Sequence, residues 1–194
     1  MKRILISFFL GVISLIASAQ TESPHMTFKG VPIDGTLKEF TTKMVQKGFT
    51  SVGIENGISV LQGDFASYKD CIIGVTSMKQ RDLVSKIVVI FPECSTWQAL
   101  SSNYYTLKVM LTKKYGNPSE ETEKFETYSE PRDDNSRLHN VKFDRCKFVT
   151  IYETEKGFIN LRITHGDSLD CHVSLVYIDK MNGELINEDA MDDL

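Results

Sequence analysis

Along most of this chain apolar and polar residues alternate with the period of a strand, and a helical period interrupts the alternation twice. The first interruption opens at Asp34-Gly35-Thr36, where Thr36 and Glu39 stand at capping-box spacing. Leu37, Phe40, Met44 and Val45 then share one helical face. Gly48, after Lys47, ends the helix. Strands are expected next at roughly 49–55, 57–66, 69–78 and 83–91, divided by Glu55-Asn56-Gly57, by Ser67-Tyr68 and by the polar run from Lys79 to Asp82.

The second interruption begins with Ser95 and Gln98, again at capping-box spacing. Trp97, Leu100, Tyr104, Leu107, Leu111 and Tyr115 line one face, so Trp97 reads as a core residue. Gly116 stops this helix and Pro118 prevents its resumption. Strands are expected at about 123–130, 141–154, 158–165 and 171–179, with a polar loop from Glu130 to Asn140 that holds Pro131, Arg132, Asp133 and Asp134. Ile58 to Pro92 aligns by pattern with Lys147 to Lys180. The repetition predicts an α+β fold of two tandem repeats, residues 34–94 and 95–180. Each would be a helix followed by an antiparallel β-meander, with the helices packed on one sheet face. The alternative is a single α+β domain without internal symmetry. Residues 20–33, with Pro24 and Pro32, read as an extended lead-in, and residues 181–194 as an acidic, solvated tail.

The N-terminus changes the picture of where such a domain works. Lys2 and Arg3 precede an apolar stretch from Ile4 to Ile16, and Ala17-Ser18-Ala19 has the small-x-small pattern of a signal-peptidase site. The stretch is shorter than the ~20 residues a spanning helix needs. Residues 1–19 are therefore expected to be a cleaved signal peptide, and the mature chain a soluble periplasmic or secreted protein of a bacterium. Losing Lys2 and Arg3 leaves about 20 basic residues against 26 acidic ones, which makes nucleic acid and anionic membrane surfaces poor partners. No transmembrane segment is expected in the mature form.

The order of elements, together with the helix exit Lys114-Tyr115-Gly116-Asn117-Pro118, resembles the beta-lactamase inhibitory protein family. The resemblance implies that family's tandem helix-plus-four-strand layout and action by protein binding through a sheet, with no specific target. The family's two disulfides are matched in number by Cys71, Cys94, Cys146 and Cys171.

An even cysteine count in an exported chain reads as disulfides, with four buried free thiols as the alternative. Apolar matching pairs Ile73 with Phe91 and Val75 with Val89, which brings Cys71 level with Glu93 and within reach of Cys94. The second bridge would be Cys146–Cys171, although pairing Ile151 with Leu161 sets these two strands apart.

No nucleophile elbow, zinc-protease helix or phosphate loop is present, and no catalytic residue or cofactor is assigned. The run from Asp179 to Glu184 fails as a calcium loop because Met181 and Gly183 occupy ligand positions. The run from His165 to His172 is rich in ligand types. Pairing Ile163 with Val173 and Leu161 with Leu175 turns the two histidines to opposite faces, so no metal site is assigned. The same reading leaves Phe148, Tyr152, Phe158, Asn160, Arg162 and His172 on an open face, an aromatic-polar composition suited to binding. The expected function is a non-catalytic exported binding protein for a protein or cell-envelope ligand. A cell-envelope hydrolase and a structural assembly component are the alternatives.

Overall fold

A computed structural model describes residues 23–78 and 81–185; the signal-peptide reading falls outside them. The chain runs through β1 (Thr27–Phe28), β2 (Val31–Pro32), α1 (Leu37–Gln46), β3 (Thr50–Glu55), β4 (Ile58–Phe65), β5 (Tyr68–Met78) and β6 (Leu83–Ile90). It continues through α2 (Trp97–Tyr115), β7 (Glu120–Phe125), α3 (Asp134–Lys142), β8 (Cys146–Thr154), β9 (Gly157–His165) and β10 (Cys171–Asp179). Residues 180–185 are helical. No described helix is long and apolar enough to cross a membrane.

The expectation of two tandem repeats is overturned. β3 to β10 form one eight-stranded antiparallel sheet in the order β3-β4-β5-β6-β10-β9-β8-β7. The join is β6 against β10, with Val88 opposite Val176 and Val89 opposite Leu175. Both strands are aliphatic on both faces, so pairing them covers more apolar surface than leaving either as an edge. The two stretches also differ in content. α2 has 19 residues against 10 in α1, and α3 stands where a polar loop was expected.

Local chemistry explains the helices. Thr36 and Glu39 form the reciprocal capping box expected of them. α2 begins one residue later than its sequence signal, with Thr96 accepting from the Ala99 N–H. The carboxylate of Asp134 accepts from Trp97 N–H at 2.9 Å and Gln98 N–H at 3.0 Å. An acid from the distant loop thus satisfies orphan donors at the positive end of α2. α3 is capped in turn by Asp133, which accepts from Ser136 N–H at 2.8 Å.

α1 and α2 lie on the same face of the sheet. Thr41 of α1 donates to Ser59 of β4, and Tyr104 of α2 is hydrogen-bonded to Thr150 of β8. Cross-strand pairing places Ser59 and Thr150 on one side, through Val75, Ile87 and Tyr177 in one row and through Leu175 and Leu161 in the next. Those residues form the core.

The expected extended lead-in and solvated tail both pack against the sheet in their described residues. Met26, Phe28, Val31 and Ile33 of the supposed lead-in are buried, and Phe28 packs against Phe49, Phe65 and Tyr177. At the other end Asn182 is 1% exposed and gives its amide to Ile33 O at 3.0 Å and Val84 O at 2.9 Å. Asp179, fully buried, accepts from Met26 N–H at 2.7 Å and Asn182 N–H at 2.9 Å. His25 Nδ1 stands 3.1 Å away. A buried carboxylate with these donors is a knot tying the segments around Met26 and Asn182 to the sheet.

Candidate functional site

The face opposite the helices is the open one, and its composition follows from strand register. β9 and β10 pair as the sequence implies, with Ile163 opposite Val173, Leu161 opposite Leu175 and His172 opposite Thr164. β8 does not. Thr150, not Ile151, stands opposite Leu161, and Tyr152 stands opposite Ile159. A slip of one residue exchanges the faces. Phe148 and Tyr152 are therefore removed from the candidate binding set. Both are buried under α2, where Phe148 packs edge-on to Trp97 and Tyr104. The Tyr152 hydroxyl donates to Lys108 O at 3.0 Å and lies 2.9 Å from Thr112 Oγ1.

The slip turns Val149 and Ile151 outward instead. The open face then carries a middle row of Val60, Gly74, Val88, Val176, Asn160 and Ile151. Beside it run Ile58, Ile178 and Phe158, each 37% exposed. Phe158, Asn160, Arg162 and His172 keep the face expected of them. Arg162 is exposed and its Nε donates to Ser174 Oγ at 3.1 Å. His172 is buried at the rim of the face, its Nδ1 3.2 Å from Asp170 O. His165 is on the helix side, 3.4 Å from Asp144, so the two histidines do not converge. Among the described residues no cluster of three metal-ligating side chains exists.

Two features of this face concern recognition. The side-chain oxygen of Asn160 is buried without a hydrogen-bond partner among the described residues. Such an acceptor costs about 1–3 kcal/mol. The charge is also mixed. Lys86, Arg162, Lys147 and Lys124 project on this side of β6, β9, β8 and β7, where Glu153 and Glu120 also stand and Glu126 lies 3.8 Å from Lys124.

The helix side carries different chemistry. Lys108 lies 2.8 Å from Glu121 and 2.5 Å from Glu123. Burial pulls its pKa down, and the two carboxylates outweigh it, so the ammonium is held above its ordinary range. Near α3 an open depression of about 780 Å³ is lined by Tyr128, Arg132, His139 and Arg145 among others. Its acids are engaged, Asp133 in capping α3 and Glu130 at 4.0 Å from Arg137.

No disulfide is formed in this structure, and strand register separates both pairs expected to bridge. Ile73 pairs with Val89 and Val75 with Ile87, two residues away from the expected register. Cys71 comes level with Phe91, short of Cys94. Cys146 and Cys171 share a face with β9 between them, about 9.6 Å apart by strand spacing. Burial pushes the Cys71 thiol up to about 11 and Cys146 up to about 12, well away from a reactive thiolate.

Comparison of the chain with protein-family models, with curated proteins and with solved structures finds no match.

Proposed function

We propose that this chain is an exported, non-catalytic binding protein, and that the open face of β6, β10, β9 and β8 seats a partner protein. The observation that carries the reading is the aliphatic row with Asn160 at its middle, on a sheet face that no described helix covers. An antiparallel sheet with one face in water ordinarily shows polar residues there. Here Val88, Val176, Ile151, Ile178 and Phe158 are outward instead. The fitting occupant is a protein surface that is apolar at its centre and brings carboxylates to Arg162 and Lys147. Export supports this reading through the signal pattern in residues 1–19, which directs the chain to other envelope or extracellular proteins.

The test is capture of a partner from the cell envelope by the wild-type protein, compared with Phe158→Asp and Arg162→Glu. Each variant should weaken binding of the captured protein at least ~10-fold, about 1.4 kcal/mol, without lowering thermal stability. Substituting the exposed α2 residue Val109→Asp should leave binding unchanged. A partner held equally by all four proteins, or no partner captured at all, would sink the proposal.

A further inference from the structure

Cys94 and Cys171 occupy a relation that differs from every other cysteine pair in the molecule. β6 ends at Ile90, and Phe91 N–H still reaches Val173 O at 3.0 Å. In an unbroken ladder the next donor toward β10 would be Glu93, two residues on. Pro92 lacks an N–H and the chain gains a residue there, so Cys94 takes that place. Its N–H donates to Cys171 O at 2.9 Å. This is the geometry of a bulge: one extra residue on β6 brings Cys94 opposite Cys171 across the strand pair. Residues facing each other in this way have Cα atoms about 5.5 Å apart, inside the span a disulfide bridges.

The side chains agree with the backbone. Cys171 alternates with His172 and so shares the helix side with Val173 and Leu175. Cys94 Sγ accepts from Asn103 Nδ2 of α2 at 3.3 Å, which places it on the same side. Both are buried, at 8% and 2% exposure. Cys71 and Cys146 have no such opposite number.

We infer that Cys94 and Cys171 are the chain's disulfide-forming pair, joined when β6 and β10 dock in an oxidising compartment. The oxidant is a disulfide compound. One cysteine, as thiolate, attacks it, forming a mixed disulfide and releasing one thiol. The second cysteine, deprotonated, then attacks the mixed disulfide, forming the Cys94–Cys171 bond and releasing the other thiol. The two protein sulfurs together lose two electrons and two protons, and the oxidant's sulfurs gain them. Both cysteines are buried in the finished fold, so exchange belongs to folding and the product is a fixed staple across the β6–β10 seam. It closes the chain from residue 94 to residue 171, a long loop whose closure restricts the unfolded state.

The experiment is refolding of the full chain from denaturant in a buffer of oxidised and reduced glutathione, then alkylation of free thiols, digestion without reductant and mass mapping. The expected product is one peptide pair linking Cys94 to Cys171, with Cys71 and Cys146 alkylated. A chain with both Cys71→Ser and Cys146→Ser should form the same link. Reductant should lower the thermal midpoint of the oxidised wild type by at least about 5 °C and leave Cys171→Ser unmoved. A dominant Cys71–Cys94 or Cys146–Cys171 peptide, or four alkylated thiols after refolding, would overturn the inference.

Discussion

Asp179→Asn should destabilise the whole fold, although it alters one atom. The carboxylate is fully buried and acts only as an acceptor, with one oxygen taking Met26 N–H at 2.7 Å and the other taking Asn182 N–H at 2.9 Å. An amide of the same shape has one oxygen, so one of those two backbone donors meets an NH₂ group. A hydrogen bond to a charged group contributes about 1.5–3 kcal/mol, and a buried donor left unpaired costs about 1–3 kcal/mol. The two overlap, because both describe the same lost contact, so the expected loss is about 2–4 kcal/mol. Asp34→Asn is the control. Its carboxylate is 42% exposed, lies 3.5 Å from His25 and accepts from Asn182 Nδ2 at 3.3 Å, a contact an amide oxygen keeps, so the change should cost under about 1 kcal/mol. Urea unfolding followed by the fluorescence of Trp97, the one tryptophan, reads the change, since Trp97 is buried beneath the far half of the sheet. A loss under about 1 kcal/mol, with amide exchange at Met26 still as slow as in the wild type, would refute the account of Asp179 as a knot.

Tyr152→Ala should cost about 3–5 kcal/mol in the same assay, as large-to-small changes of buried aromatics do; near-wild-type stability would return Tyr152 to the surface. Gly157→Ala should be among the most damaging small substitutions, about 3 kcal/mol or more. Gly157 has φ +150° and an added Cβ would fall 2.0 Å from Ile178 O, so a normal urea midpoint would contradict the β9–β10 register. Burial raises the pKa values of Tyr104, Tyr152 and Tyr177 in the fold. Their stabilising contribution is whole below the unfolded value near 10 and is lost as pH rises above it. Urea midpoints should therefore fall between pH 9.5 and about 11, and a flat profile would refute this.

Much of the secondary structure was legible because it rests on local chemistry. The capping box at Thr36 and Glu39, the glycine exits and the four-strand runs need no distant partner to be recognised. Register was legible only where one alternation is unambiguous. On β9 and β10 only one set of positions is consistently apolar, and the pairing follows. On β5 and β6 a two-residue error left every side chain on its proper face, because a period of two cannot detect it. On β8 both alternations are apolar, Phe148 and Tyr152 in one and Val149 and Ile151 in the other. The choice falls to hydroxyls: Tyr152 reaches Lys108 and Thr112 of α2, and Thr150 meets Tyr104. α3 did leave a signal, Asp133 three residues before Ser136, but its apolar face is only Leu138 and Val141.

What the pattern hides is pairing between distant segments. Joining β6 to β10 makes one sheet of two runs, and nothing local announces it. Asp179 and Asn182 look like solvent residues in a polar tail, and become core only because Met26, Ile33 and Val84 of β6 supply their partners. The candidate site depends on the same long-range choice. Val88 and Ile90 would face outward on any β6, but only pairing with β10 sets them beside Val176, Asn160 and Arg162. The sheet's edges sharpen the point. β7 carries Glu120, Glu121, Glu123 and Lys124, charges that discourage another strand from pairing there. β3 is short and its register shifts between Ser51 and Gly53, which bends the other edge. With both edges poor templates for strand addition, the proposed partner surface lies on the uncovered face, where β9 sets Asn160 opposite Val176 of β10.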